Sequence, residues 1–391
     1  MRRSGPQRFL RHNRVTATSF VLVATVAVMV VYTKLHYPWS KTLCGSEGRL
    51  VWEEKPRERL QDIAFSCGSD ALGVLFFDSF TPERVSGSQF ALVDLTTGAA
   101  EPTRLDPLED CWSLRMSNDG TLMVGTDDFT FQCLRLPEGR CVATLRHTPA
   151  LKASTCALSP SGENLVVSYD QTLPDGTTAG SVIEIWDTAK WEKLEGFTVG
   201  AGLDTGRMVI SRDSRWLAWT THSPSIGLYE IGSGRKPRTL LGHTAITTAV
   251  AFSPDGTRLM SGDIGSEVIV WDMSSTKRLL SLSPVRAGDA NFPSQAMSIG
   301  VSPDSRIVAV ARNSSHLSAY QFLLTRGNVR LLQNEISFYD IRSGVHLASV
   351  AVPNWVDDML FSSSGDAFVA SVNNCVLMWP FSSEKLLEEA E

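Results

Sequence analysis

Beyond its first fifty residues the chain is a succession of short runs in which apolar and polar positions alternate. Runs such as Leu165-Val166-Val167-Ser168 and Ile307-Val308-Ala309-Val310 are too short and too β-branched for helices, so a period of two predicts strands. Seven times a strand is followed by a serine and a polar turn, at Ser66, Ser117, Ser159, Ser211, Ser253, Ser302 and Ser362. Gly, Asp and Asn in these turns supply the left-handed or side-chain-bonded geometry of tight hairpins. The strand after each turn leads to a third, which ends in an aromatic–acidic pair or a relative of one. Trp186-Asp187 and Trp271-Asp272 are complete pairs, Tyr229-Glu230, Tyr339-Asp340 and Val93-Asp94 are variants, and Leu134-Arg135 and Trp379-Pro380 have lost the acid. A fourth strand follows, as in Arg278 to Leu282. The pattern predicts an all-β chain of repeated four-stranded units, none able to bury both faces alone.

The fifth unit reads Gly242-His243, then Ala251-Phe252-Ser253-Pro254-Asp255-Gly256, Ser261-Gly262 and Val270-Trp271-Asp272. This run resembles a WD40 repeat, and the resemblance extends over residues 48–386 as degenerate repeats of bacterial type. It implies a seven-bladed β-propeller, and an expected strand at residues 49–53 would close the ring as the outer strand of the last blade. It also implies a hydrogen-bond tetrad of His, Ser or Thr, Asp and Trp. His243, Ser261 and Trp271 are present, but the expected acid, six residues before the tryptophan, is Gly265. The tetrad is therefore expected to be incomplete, with apolar packing between blades carrying the stability.

One segment breaks the alternation. Val15 to Thr33 contains no charge and would span about 28 Å as a helix, enough for a bilayer core. Arg2, Arg3, Arg8, Arg11 and Arg14 precede it, and Tyr32, Tyr37 and Trp39 suit an interfacial belt. The expectation is a basic cytoplasmic tail (1–14), a transmembrane signal-anchor (15–33), a tether (34–47), an extracytoplasmic propeller (48–386) and an acidic tail (387–391). A cleaved signal peptide and a buried helix are the competing readings.

The spacing from turn serine to aromatic–acidic pair is long in three units, from Ser66 to Asp94, Ser159 to Asp187 and Ser302 to Asp340. The extra residues fall between the second and third strands, near Asp78–Ser88, Gln171–Gly180 and Asn313–Gln333, which places them on one rim. Insertions confined to one rim mark a partner-binding face, although loops also drift in length at little cost. The longest is apolar for a loop, and His316, Tyr320, Phe322, Leu324, Arg326 and Arg330 are its candidate contacts. Asp127, Asp128, Asp357 and Asp358 give the same rim an acidic cast against Lys152, Arg286 and Arg312. That cast fits a cationic partner, weak divalent-cation binding or simple solvation. His243, Ser261, Trp271, Asp272, Trp186 and Asp187 are assigned to the architecture of the repeats.

Composition narrows the function. Of 391 residues, 43% are hydrophobic, which fits a globular chain, and the net charge of −6 speaks against nucleic acid as a partner. Ten Trp against six Tyr is the bias that a tryptophan in each blade produces. The seven cysteines show no CxxC pair, and Cys133 and Cys141 flank a turn, so buried thiols and one hairpin disulfide are both open readings. No HExxH, GxSxG or P-loop motif is present, so no catalytic residue, cofactor or metal site is expected. The resulting expectation is a membrane-anchored interaction scaffold or sensor that binds protein partners. The alternatives are a propeller enzyme with its site at the channel mouth, or a membrane-associated structural protein.

Overall fold

The computed structural model describes residues 49–53, 58–65, 71–78, 88–94, 100–103, 113–117, 122–126, 130–136, 140–147, 151–173, 178–201, 205–282, 294–314, 334–352, 355–372 and 375–389. Within them the alternating runs are strands, arranged as seven four-stranded antiparallel sheets. Six sheets take consecutive strands: β2 (Glu58–Phe65) to β5 (Ala100–Thr103), β6 (Ser113–Met116) to β9 (Arg140–Arg146), β10 (Leu151–Leu158) to β13 (Glu192–Gly200), β14 (Thr205–Ile210) to β17 (Arg238–Leu241), β18 (Thr247–Phe252) to β21 (Lys277–Leu282), and β22 (Ser294–Val301) to β25 (His346–Val352). The seventh holds β26 (Val356–Phe361), β27 (Ala367–Val372) and β28 (Cys375–Pro380), and its outer strand is β1 (Arg49–Glu53). β1 lies antiparallel to β28, with Leu50 opposite Leu377 and Glu53 opposite Cys375, so the chain's first described strand completes its last sheet.

The core lies between sheets. One cluster packs Ile307, Phe338 and Val350 of the sixth sheet on Phe361, Phe368 and Trp379 of the seventh. Others join the third sheet to the fourth through Ile183, Leu217 and Trp219, and the fourth to the fifth through Leu228 and Trp271. The first strand of each sheet contacts that of the next in chain order, and β26 returns against β2. This is a WD40-like propeller arrangement, in which each sheet is covered on both faces by its neighbours.

The recurring turns show why serine recurs. Ser253 N–H donates to the Arg258 carbonyl at 2.9 Å and its Oγ accepts from Arg258 N–H at 2.9 Å, closing the hairpin with main chain and side chain together. Ser159, Ser211, Ser302 and Ser362 accept from Asn164, Trp216, Ile307 and Ala367 in the same way, and all five serines are buried. A residue at positive φ completes each turn. It is glycine at Gly256 and Gly365, but Ser214 and Ser305 in two others. Ser305 turns the strain to use, since its Oγ accepts from Asp255 N–H of the neighbouring sheet at 3.0 Å. The acid of the aromatic–acidic pair caps the next turn. Asp272 accepts from the Ser275 and Ser274 hydroxyls and pairs with Arg258 at 3.0 Å. Those bonds, Ser275's foremost, pull its carboxyl down to about 2.

Three expectations change. The extra residues of the third sheet lie largely in its strands, since β11 (Asn164–Thr172) and β12 (Thr178–Asp187) are long and pair over most of their length. The C-terminal residues also form a helix, α1 (Ser383–Glu388), capped by Ser382 and pinned by buried Leu386 in the cluster shared by the last two sheets. The single-pass, extracytoplasmic placement is corrected. No described helix is long and apolar enough to cross a membrane, and a chain in hydrocarbon must satisfy its backbone within a spanning helix or a closed barrel. α1 has six residues, about 9 Å against a bilayer core of about 30 Å. Residues 15–33, the expected span, lie outside the described residues.

Trp219 lies flat across the strand onto Gly227, where an added Cβ would sit 2.0 Å from ring carbon Cε2. Gly227→Ala is therefore expected to displace a buried indole and destabilise the protein by about 1–3 kcal/mol, measured by urea unfolding.

Candidate functional site in the central channel

The hydrogen-bond tetrad of the fifth sheet is complete, which corrects the expectation built on Gly265. Trp271 Nε1 donates to Ser261 Oγ at 2.8 Å, Ser261 Oγ meets His243 Nε2 at 2.7 Å, and His243 Nδ1 meets Asp263 Oδ2 at 3.0 Å. Asp263 ends β19 (Arg258–Asp263), two residues earlier than expected. Gly265 supplies an N–H to Asp263 Oδ1 at 2.9 Å, and Glu267 supplies another at 3.0 Å. The turn thus curls its backbone donors around the carboxylate instead of presenting one from its tip. His243, Asp263 and Glu267 approach one another as metal ligands would. Both His243 nitrogens are bonded within the tetrad, and Glu267 Oε1 holds Arg278 at 2.7 Å and Ser281 at 2.9 Å.

Other sheets lack the hydroxyl. Trp186 Nε1 and Trp379 Nε1 are buried without hydrogen-bond partners, because Val167 and Ala370 hold the register position of Ser261. Asp187 still caps its turn through the Ala189 and Lys190 N–H groups. In the sixth sheet Tyr339 replaces the tryptophan, and its hydroxyl accepts from buried Arg312 at 2.8 Å. Burial lowers the Arg312 pKa from its usual value, and its place beneath Tyr339 removes it from the open rim where the sequence put it.

The inner strands of six sheets enclose a cavity of about 390 Å³. Small or apolar residues form much of its wall, including Ala157, Val209, Ala251, Gly300 and Leu360. Across it runs an ion pair. Arg207 Nη1 of the fourth sheet donates to Asp358 Oδ1 of the seventh at 2.9 Å, and Nη2 donates to the Asp357 carbonyl at 3.3 Å. Ser298 Oγ of the sixth sheet and Met359 N–H each add a bond to Oδ1 at 2.9 Å, and Arg115 of the second sheet lines the same space. Burial alone would raise the Asp358 pKa. The charges of Arg207 and Arg115, with the Arg207 and Ser298 hydrogen bonds, outweigh it and hold the carboxyl below its usual value.

Of the acidic rim candidates, Asp357 is exposed and Asp358 points inward as half of this pair. Asp127, Asp128, His316, Tyr320, Phe322, Leu324, Arg326 and Arg330 lie outside the described residues. Cys133 and Cys141 are free thiols: Cys133 faces Ala143 and Cys141 faces Leu134, so the register does not bring them together. Arg207, Ser298 and Arg115 were missed, yet a signal existed. Arg207, Ser298 and Asp358 each stand four residues before a turn serine (Ser211, Ser302, Ser362), one equivalent position in three repeats.

The chain carries a WD40 repeat. The family model described as WD domain, G-beta repeat matches residues 234–272, which contain the tetrad. The chain is 27% identical over 151 residues to protein groucho of Drosophila melanogaster, covering 37% of this chain and 20% of that protein. It is 24% identical over 164 residues to transducin-like enhancer protein 2 of Mus musculus, covering 42% and 19%. The matches thus span about a fifth of the length of these WD-repeat relatives. Both are animal proteins and give no support to a bacterial type of repeat.

Three outcomes are expected. Ala370→Ser places a hydroxyl opposite Trp379 Nε1 and should stabilise by about 1 kcal/mol in thermal unfolding. Ser261→Ala orphans buried His243 and Trp271 and should cost about 1–3 kcal/mol per orphaned group. Asp358 and Asp272 have lower pKa values folded than unfolded, so each favours the fold above its ordinary 3.8 and loses that contribution as pH falls. Melting temperature should therefore drop as pH falls from about 4 to about 2, with a shallower slope in Asp358→Asn.

Proposed function

We propose that the protein is a protein-interaction scaffold: a seven-bladed WD40-like ring, closed by residues 49–53, that binds partners on the rim carrying its long connections. The observation that carries this reading is the place of those connections. They join the second and third strands of their sheets, β3 (Ala71–Asp78) to β4 (Ser88–Asp94) and β23 (Ile307–Ser314) to β24 (Asn334–Asp340), while in the third sheet the added length prolongs the β11–β12 hairpin toward the same side. Sheets of one topology arranged in a ring send equivalent connections to one side, so length gained in three sheets accumulates on one surface. The WD40 repeat and the WD-repeat relatives support a scaffold rather than an enzyme. Asp357, with Asp127, Asp128, His316, Tyr320, Phe322, Leu324, Arg326 and Arg330, is assigned to the contact surface. Asp358 is reassigned from that surface to the channel. His243, Asp263, Ser261 and Trp271 bond one another in the tetrad, and no specific observation favours the enzyme reading.

Replacing residues 315–333 with a short Gly-Ser linker tests the reading. Affinity capture with the full chain and with the replacement should yield different partner sets at unchanged melting temperature. Identical sets would remove this surface as the binding face.

A further inference from the structure

The described residues that line the channel cavity carry three cations, Arg115, Arg207 and Arg212, against one carboxylate, Asp358. Arg212 is exposed and stands past the end of β14, beyond the turn serine Ser211. Arg207 stands near the start of the same strand, so the two mark opposite ends of the cavity. Arg115 takes the repeat position two residues before the turn serine, where the other lining sheets hold Ala157, Val209, Ala251, Gly300 and Leu360. A long cation there has short or apolar neighbours, and it lies near enough to Asp358 for its charge to lower that carboxyl's pKa. Asp358 thus faces two arginines, and among the described residues one positive charge is left over. Arg207 is also incompletely used. Two of its N–H groups go to Asp358 and the Asp357 carbonyl, and the remaining donors of its guanidinium have no partner among the described residues. Its side chain stays 29% exposed. Ser298 Oγ and Met359 N–H fix Asp358, which in turn orients the guanidinium before anything binds. Around this seat much of the wall is apolar, and about 390 Å³ lies within the range of small-molecule sites.

We propose that the channel binds a small organic anion with an apolar body and one carboxylate head, seated between Arg115 and Arg207. A guanidinium fork matches a planar carboxylate with two parallel hydrogen bonds. The charge of that head equals the surplus at the seat, whereas a neutral head leaves the surplus standing and an ammonium adds to it. Asp358 weakens the attraction without reversing it. Arg212, at the other end, strengthens the field that draws an anion in. The site is separate from the rim surface and does not depend on the scaffold reading. The same carboxylate has two sources to distinguish, a free molecule or a glutamate side chain of a partner segment.

The test uses the full chain with phenylacetate, phenylacetamide and phenethylammonium, three probes that share a phenyl body and differ in head group. Isothermal titration at neutral pH should show saturable binding of phenylacetate, about tenfold tighter than that of the amide, because hydrogen bonds between two charged groups are the stronger kind. Phenethylammonium should not bind. The capped peptide acetyl-Gly-Gly-Glu-Gly-Gly-amide separates the sources: binding of phenylacetate alone assigns a free molecule, and binding of both assigns a partner side chain. Arg115→Met should bring phenylacetate down to the affinity of the amide. Asp358→Asn keeps an acceptor for Arg207 and removes the repelling charge, so it should tighten phenylacetate binding several-fold, a gain that a damaged fold cannot produce. The proposal is overturned by amide or ammonium binding as tight as that of the carboxylate, or by no saturable binding of phenylacetate. Phenylacetate binding unchanged in Arg115→Met, or not tightened in Asp358→Asn at unchanged melting temperature, would overturn it equally.

Discussion

From the third sheet to the seventh, the described sheets are apolar on both faces, and that constraint organises the rest. A four-stranded sheet with Leu165, Val166 and Val167 buried in succession on one strand, or Leu217, Ala218 and Trp219 on another, has no face to give to water. It must be sandwiched, and so must each neighbour. Sheets that need covering on both sides are satisfied only by an arrangement without a first or last member. The contact of β26 with β2 and the pairing of β1 with β28 meet that demand, at the innermost and the outermost strand of the last sheet.

The polar groups then divide between two duties. Turn serines and the acids that follow the third strand are local: they bond within a few residues of themselves and fix the hairpins on which register depends. Ser253 with Arg258 and Asp272 with Ser274 and Ser275 are of this kind. The tetrad and the Arg207–Asp358 pair are long-range. The tetrad ties the segment before a sheet to its second and third strands, and the ion pair ties the fourth sheet to the seventh. Where the tetrad's serine is replaced by Val167 or Ala370, the indole is kept for its bulk and its N–H is left without a partner. Packing between sheets therefore outranks hydrogen bonding within them as the reason for a tryptophan at that position.

The channel follows from the same geometry. Inner strands meet at their narrowest around an axis, and small residues such as Ala251 and Gly300 keep that axis open. A charge placed on such a strand faces other inner strands rather than solvent, so Asp358 behaves unlike its exposed neighbour Asp357. The acidic rim suggested by composition is thereby weakened. One of its carboxylates belongs to the interior and one of its cations, Arg312, is buried under Tyr339.

Strands, turns, the repeated four-stranded unit and the place of the long connections were legible in the sequence, because each rests on residues near one another in the chain. Alternation sets a strand's faces, and serine with glycine or aspartate sets a hairpin. The strand at residues 49–53 was expected from the WD40 resemblance, whose rings close with a strand from the start of the repeats, and it pairs with β28. What the sequence left open depends on distance in space. Asp263 reaches His243 because the turn after it curls back on its carboxylate, and spacing along a strand does not encode that curl. Arg207 and Asp358 stand 151 residues apart and meet only when the sheets come round to face one another. A local pattern carries a residue's secondary structure and its face, but not the identity of the residue opposite, which the closure of the fold alone decides.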